Sequence, residues 1–212
     1  MLRLYYAACG MLDETVDDSR FSDYRREKLA HTRAPELRKQ MIAAELLLIR
    51  AVKEADSGIA LPLQICTDES GKPYFPNSPL HLNLSHSAER VCCALSDHEV
   101  GLDVQKIRNP HDAMLRRCFS AEEQRYIRES VDPAARFTLL WCVKESYVKA
   151  KGEGLSSAFD SLELSLINTI RINTDRKARF WTWEGAEYQT ALCTLDGSDP
   201  YPDRVEFVEL GR

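Results

Sequence analysis

Apolar side chains recur at Leu37, Met41, Leu48 and Val52, all on one face of a helix, and Pro35 stands where a first helical turn accepts proline. This spacing predicts a long amphipathic helix over 36–55, preceded by a shorter charged helix over 22–29 that carries Arg25, Arg26 and Lys28. Gly58, Pro62, Gly71, Pro73, Pro76 and Pro79 then interrupt any periodicity, so 58–80 reads as loop with short extended pieces. The runs Val91–Leu95 and Val100–Val104 are apolar and β-favouring, and four polar residues separate them. That pattern predicts a hairpin. Pairing Leu95 with Val100 would set Asp103 opposite Cys92 and bring Ser85, His86 and Asp103 into one neighbourhood.

Two further helices follow. Ser120-Ala121-Glu122-Glu123 is a capping box that opens the first. Asp132-Pro133 opens the second, which should run to Lys151 and stop at Gly152, with Lys149 and Lys151 suiting the negative end of its dipole. Beyond it Leu162, Leu164 and Leu166 alternate, and Phe180–Trp183, Tyr188–Leu195 and Arg204–Val208 read as strands. Helices and antiparallel strands mixed without a βαβ rhythm place the fold in the α+β class.

Composition narrows the function classes. The 28 Lys plus Arg against 33 Asp plus Glu leave a net charge of −5, without the basic surplus of a general nucleic-acid binder. An anionic ligand must then be held by a local basic cluster. No apolar run approaches the ~20 residues of a membrane helix, and the first residues lack a secretory signal pattern. The seven cysteines are odd in number, irregular in spacing and free of any C-x-x-C pair, so they read as buried reduced thiols of a cytoplasmic protein.

Three groups can carry chemistry: Asn83-Leu84-Ser85-His86-Ser87, Gly101-Leu102-Asp103-Val104-Gln105, and Trp141-Cys142-Val143-Lys144-Glu145-Ser146-Tyr147-Val148-Lys149. Singly, each has an ordinary structural explanation. Asp103 reads as a solvated strand residue, His86 as a packed or solvated histidine, and Glu145 with Lys149, four apart on a helix, as a surface ion pair.

Together the groups resemble one family. Gly-Leu-Asp, a 42-residue gap to Glu145, Trp-x-x-Lys-Glu-Ser-x-x-Lys and then Gly-Leu-Ser are similar to the phosphopantetheinyl transferases of the surfactin-synthetase-activating type. The resemblance extends to Gly71-Lys72-Pro73, Leu84-Ser85-His86-Ser87, Phe119-Ser120-x-x-Glu123 and Gly152-x-Gly154-Leu155-Ser156, in order from about residue 70 to 157.

The resemblance implies transfer of 4′-phosphopantetheine from coenzyme A to a serine of an apo acyl or peptidyl carrier protein, with release of 3′,5′-ADP. It implies magnesium held by Asp103, Gln105 and Glu145, with Glu145 as the base and Lys149 on a phosphate oxygen. Arg38, Lys72, Ser85, His86 and Lys149 would bind coenzyme A. One position departs from the family: many members carry an acid where this chain has Gln105. An amide can ligate magnesium but brings no charge. The resemblance also implies two similar α/β halves related by a pseudo-twofold, 1–99 and 100–212, in a cytoplasmic monomer with neither nucleic acid nor membrane as partner. The competing readings are a catalytically inactive carrier-binding module of the same fold and a metal-dependent phosphodiesterase.

Overall fold

The computed structural model of the chain describes residues 1–13, 15–152, 162–166, 170–173, 175–197 and 201–210. The chain divides into two units, Met1–Asp97 together with Pro200–Arg212, and His98–Asp199. Helices and mostly antiparallel strands are mixed in both, as the sequence pattern requires.

The first unit contains β1 (Leu2–Ala8), α1 (Asp23–His31), α2 (Pro35–Ala55), β2 (Cys66–Thr67), β3 (Pro73–Tyr74), β4 (His81–Ser87) and β5 (Arg90–Ser96). Pro35 occupies the first turn of α2, whose Leu47, Leu48, Ala51 and Val52 are buried with Tyr5, Ala7, Cys93 and Leu95 of the sheet. α1 starts at Ser22, whose hydroxyl accepts from Arg25 N. It is tied to α2 through Glu45, a buried carboxylate that accepts from Ser22 N at 2.8 Å and from Arg25 Nε at 3.3 Å.

The second unit contains β6 (Val100–Lys106), α3 (Asp112–Cys118), α4 (Ala121–Arg128), α5 (Pro133–Lys151), β7 (Leu164–Ser165), β8 (Arg171–Ile172), β9 (Arg179–Glu184) and β10 (Tyr188–Thr194). β6, β10 and β9 form one antiparallel sheet in that order. The capping box opens α4 as expected. Asp132 caps α5, with Pro133 in its first turn, and Gly152 ends it at φ 70°. Of the Leu162–Leu166 alternation only Leu164–Ser165 is strand; Gly154, Leu155 and Ser156 lie outside the described residues.

A last strand, β11 (Arg204–Phe207), pairs in parallel with β1, so the first unit's sheet runs β11-β1-β5-β4. The closing segment therefore belongs with the first unit, although the halves were expected to divide once, at residue 100.

The expected hairpin does not form. β5 lies between β1 and β4 with both of its edges filled, and β6 pairs with β10 instead. Cys92 faces Ser85 and Tyr6 across the ladder, while Asp103 faces Ala191. All seven cysteines are free thiols, but Cys66 is exposed and Cys118 only partly covered, so burial holds for five of them.

Candidate active site

Gly101 governs how the second unit builds its acidic site. A Cβ at this position would lie 1.9 Å from Ser146 O and 2.4 Å from Ala150 N. Only glycine lets β6 and α5 approach this closely. Alternation along the strand puts Gly101, Asp103 and Gln105 on the face that meets the helix. Asp103 is consequently 1% exposed rather than solvated.

Lys149 Nζ donates to Asp103 Oδ1 at 2.6 Å and to Leu102 O at 3.1 Å. Gln105 Nε2 donates to Asp103 Oδ2 at 3.2 Å. Cys142, one turn before Ser146 on α5, is buried against the same acid, and burial followed by the Asp103 charge pushes its thiol well up.

Glu145 is 6% exposed, and among the described residues no group donates a hydrogen bond to its carboxylate. Burial first, and the Asp103 charge second, push its carboxyl up to about 7, while the charges of Lys149 and Arg108 pull the other way. Two carboxylates thus stand near each other in a mostly dry setting, and one of them lacks an internal partner. A hard divalent cation with oxygen ligands answers that need. Asp103, Glu145 and the Gln105 amide can supply protein oxygens to it. No group of three or more His, Cys, Asp or Glu side chains that could hold a metal ion occurs among the described residues, so water and substrate oxygens would have to complete the shell.

The backbone that carries Glu145 is clamped by its neighbour. Lys144 is buried, and its Nζ donates to Glu123 Oε2 at 2.9 Å and to Cys118 O at 2.6 Å. Glu123 also accepts from Ser120 N and Leu164 N, both at 2.8 Å. The capping box visible in the sequence is therefore also the anchor for α5.

The other expected residues stand in the first unit. Ser85 is buried and His86 exposed, as adjacent residues of β4 pointing to opposite faces. Lys72 follows Gly71 in the β2–β3 turn, where Asp68 Oδ1 accepts from Lys72 N at 2.9 Å. Arg38 Nη1 donates to Leu29 O at 2.6 Å and Thr32 O at 3.1 Å, closing the carboxyl end of α1. Next to this lies a cavity of about 600 Å³ lined by Tyr24, Glu27, Lys28, His31, Thr32, Met41, Thr67 and Gly71. Lys28 was legible as part of a basic helix, but nothing in the spacing showed that it and His31 share a pocket wall.

Comparison with known proteins bears on this arrangement. Residues 99–193, which include β6, α5 and all but the last residue of β10, match the family model of the 4′-phosphopantetheinyl transferase superfamily. A 4′-phosphopantetheinyl transferase of Bacillus subtilis is 30% identical over 199 residues, covering 88% of this chain and 85% of the relative. The chain belongs to the 4′-phosphopantetheinyl transferase superfamily. Its relatives are of the Sfp type. The psf-1 transferase of Bacillus pumilus is 32% identical over 81% of this chain and 76% of its own length. The transferase Sfp of Bacillus subtilis strain 168 is 34% identical over 49% and 48%. In this transferase-family chain, Asp103, Gln105, Glu145 and Lys149 lie in the second unit, and Arg38, Lys72, Ser85 and His86 lie in the first.

Proposed function

We propose that the chain transfers the 4′-phosphopantetheine arm of coenzyme A to a serine hydroxyl of an apo carrier protein, with magnesium, releasing 3′,5′-ADP. The observation that carries this reading is the buried pair Asp103 and Glu145, with no hydrogen-bond donor to Glu145 among the described residues, in a chain of this family.

Magnesium bound by Asp103, Glu145 and the Gln105 amide would supply positive charge to the pyrophosphate oxygens. The chain's own groups do the rest. The Glu145 carboxylate takes the serine proton as the serine oxygen bonds to phosphorus. The bond from that phosphorus to the bridging oxygen breaks, and its electron pair leaves with 3′,5′-ADP. Lys149, held on Asp103, keeps a cation beside the group in transfer. The nucleotide end of coenzyme A takes the cavity walled by Lys28 and His31, with Lys72 beside Gly71 at its edge and Arg38 fixing the end of α1. His86, exposed on β4, bonds a phosphate, and Ser85, which points to the opposite face, would join it only through its main chain.

Each unit carries a sheet packed by one long helix that starts at a proline, Pro35 or Pro133, and this supports reading them as two related halves. No helix among the described residues is long and apolar enough to cross a membrane, and none of the seven cysteines is in a disulfide. A cytoplasmic monomer whose partners are coenzyme A and a carrier is part of this reading.

The test is to incubate the chain with coenzyme A, magnesium and a panel of apo carrier proteins, then weigh each carrier. Gain of one phosphopantetheine arm supports transfer. Unchanged carriers that still bind the chain favour the inactive module, and hydrolysed coenzyme A favours a phosphodiesterase.

A further inference from the structure

α5 presents one stripe to the acidic site: Thr138, Trp141, Glu145 and Lys149, spaced three, four and four residues apart. The sequence blocks assign a cation to one end of this stripe only, and that cation, Lys149, is bonded to Asp103. A second cation stands toward the other end. Arg108 follows β6, and its backbone N–H donates to Thr138 Oγ1 at 3.2 Å, while that hydroxyl donates to Ala134 O at 2.8 Å. Its guanidinium carbon lies 5.5 Å from the centroid of the Trp141 ring, within stacking range for an arginine. No carboxylate among the described residues lies within ion-pair distance of it. Its charge nonetheless acts on Glu145, as that of Lys149 does.

The side chain is exposed, so its stacking adds little to the core, and holding it still costs rotamer entropy. What the stacking does provide is a fixed, planar fork of N–H donors beside the buried acids. Such a fork matches two oxygens of a phosphoryl group, which the point charge of a lysine does not. In phosphoryl transfer, negative charge spreads over the equatorial oxygens, and cations placed there act on the transition state.

We infer that Arg108, shelved on Trp141, is a further catalytic residue of the transfer reaction, donating to the equatorial oxygens of the phosphoryl group as it passes to serine. This rests on the transferase reading above. Arg108 forms no covalent bond and gives up no proton. The serine proton goes to Glu145, and the electron pair of the broken bond leaves with 3′,5′-ADP.

The test compares wild type with Arg108→Met, Arg108→Lys and Trp141→Leu in the full chain. kcat and the KM values for coenzyme A and for the carrier are measured separately, and a melting curve is recorded for each variant. Arg108→Met should lower kcat roughly 10²-fold, as loss of one preorganised charge donor does, with the carrier KM unchanged and melting as in wild type. Arg108→Lys should recover part of the loss, and Trp141→Leu should fall between wild type and Arg108→Met. Unchanged kcat in Arg108→Met overturns the assignment. So does a rise in carrier KM alone, which would make Arg108 a carrier contact. A wild-type chain inert toward coenzyme A and every carrier would strike down the transferase reading itself, and this assignment with it.

Discussion

Lys149 donates to Asp103 across the contact between β6 and α5, although its four-residue spacing on the helix pairs it with Glu145. The difference matters chemically. Asp103 has its charge balanced inside the protein, while Glu145 keeps a buried carboxyl pushed up to about 7. Asp103 is held by a lysine, while Glu145 is poised to exchange a proton near neutrality.

The two acids should therefore fail in different ways. On the proposed mechanism, Asp103→Ala removes both a metal oxygen and the partner of Lys149. Glu145→Gln removes the proposed proton acceptor while keeping shape. Either change should reduce transfer by roughly 10³-fold or more, the scale expected when several kcal/mol of charge stabilisation are lost. Carrier mass at saturating magnesium reads the activity, and circular dichroism checks the fold. Near-normal turnover in either variant would remove that residue from the site.

Glu145 also sets a pH dependence of stability. Its folded pKa lies above the ordinary 4.5, so between that value and about 7 the folded chain holds a proton that the unfolded chain has released. Stability contributed by the neutral form is complete below the unfolded pKa and is lost as pH rises through the folded one, by roughly 3 kcal/mol over the window. Glu145→Gln should thus melt above wild type at pH 8, with the gap closing at pH 4. Added magnesium should raise the melting temperature of wild type at pH 8 and leave the variant where it is. Equal melting temperatures across the pH range would contradict the buried, unpartnered carboxyl.

Gly101 offers a test of the scaffold beneath the chemistry. A methyl group there meets backbone atoms of Ser146 and Ala150, which cannot rotate aside. Gly101→Ala must push α5 off β6, costing on the order of 1–3 kcal/mol as overpacking does, and separating Lys149 from Asp103. Loss of transfer at a temperature where the variant is still folded, read against a thermal melt, is the expected result. Wild-type activity and stability would show that the close approach is not needed.

Local signals in the sequence proved legible where the physics is local. Pro35 and Pro133 opened their helices, Ser120 and Glu123 closed a capping box, and Gly152 stopped α5, because each depends on groups within one helical turn. The hairpin failed because strand pairing is decided elsewhere. β5 found both partners in β1 and β4, and β6 found its own in β10, more than eighty residues on. No turn signal encodes that. Asp103 failed as a solvated residue for the same reason, since α5 covers the strand face that alternation alone assigns to water. The Asp103–Glu145–Lys149 group was legible only as spaced motif blocks. Arg108 was not, because its link to Trp141 depends on the packing of a loop against a helix.

Gln105 stands where the resemblance leads one to expect an acid. Its amide nitrogen donates to Asp103 Oδ2, so without metal it steadies Asp103, and with metal its oxygen is the only part able to ligate. Gln105→Glu should therefore act in two directions. Without magnesium it removes a hydrogen bond and sets a second carboxylate against Asp103, so the melting temperature at pH 8 should fall. With magnesium the added charge suits a hard cation, so half-saturation should come at a lower concentration than in wild type. Gln105→Ala loses the hydrogen bond without gaining charge. It should lower the melting temperature and, if the amide oxygen ligates, raise the magnesium requirement. Thermal melts across a magnesium titration, run beside the transfer assay, read both effects. A glutamate variant with wild-type magnesium dependence would show that this position does not tune the metal. An alanine variant that needs no extra magnesium would leave water, rather than Gln105, as the ligand beside Asp103.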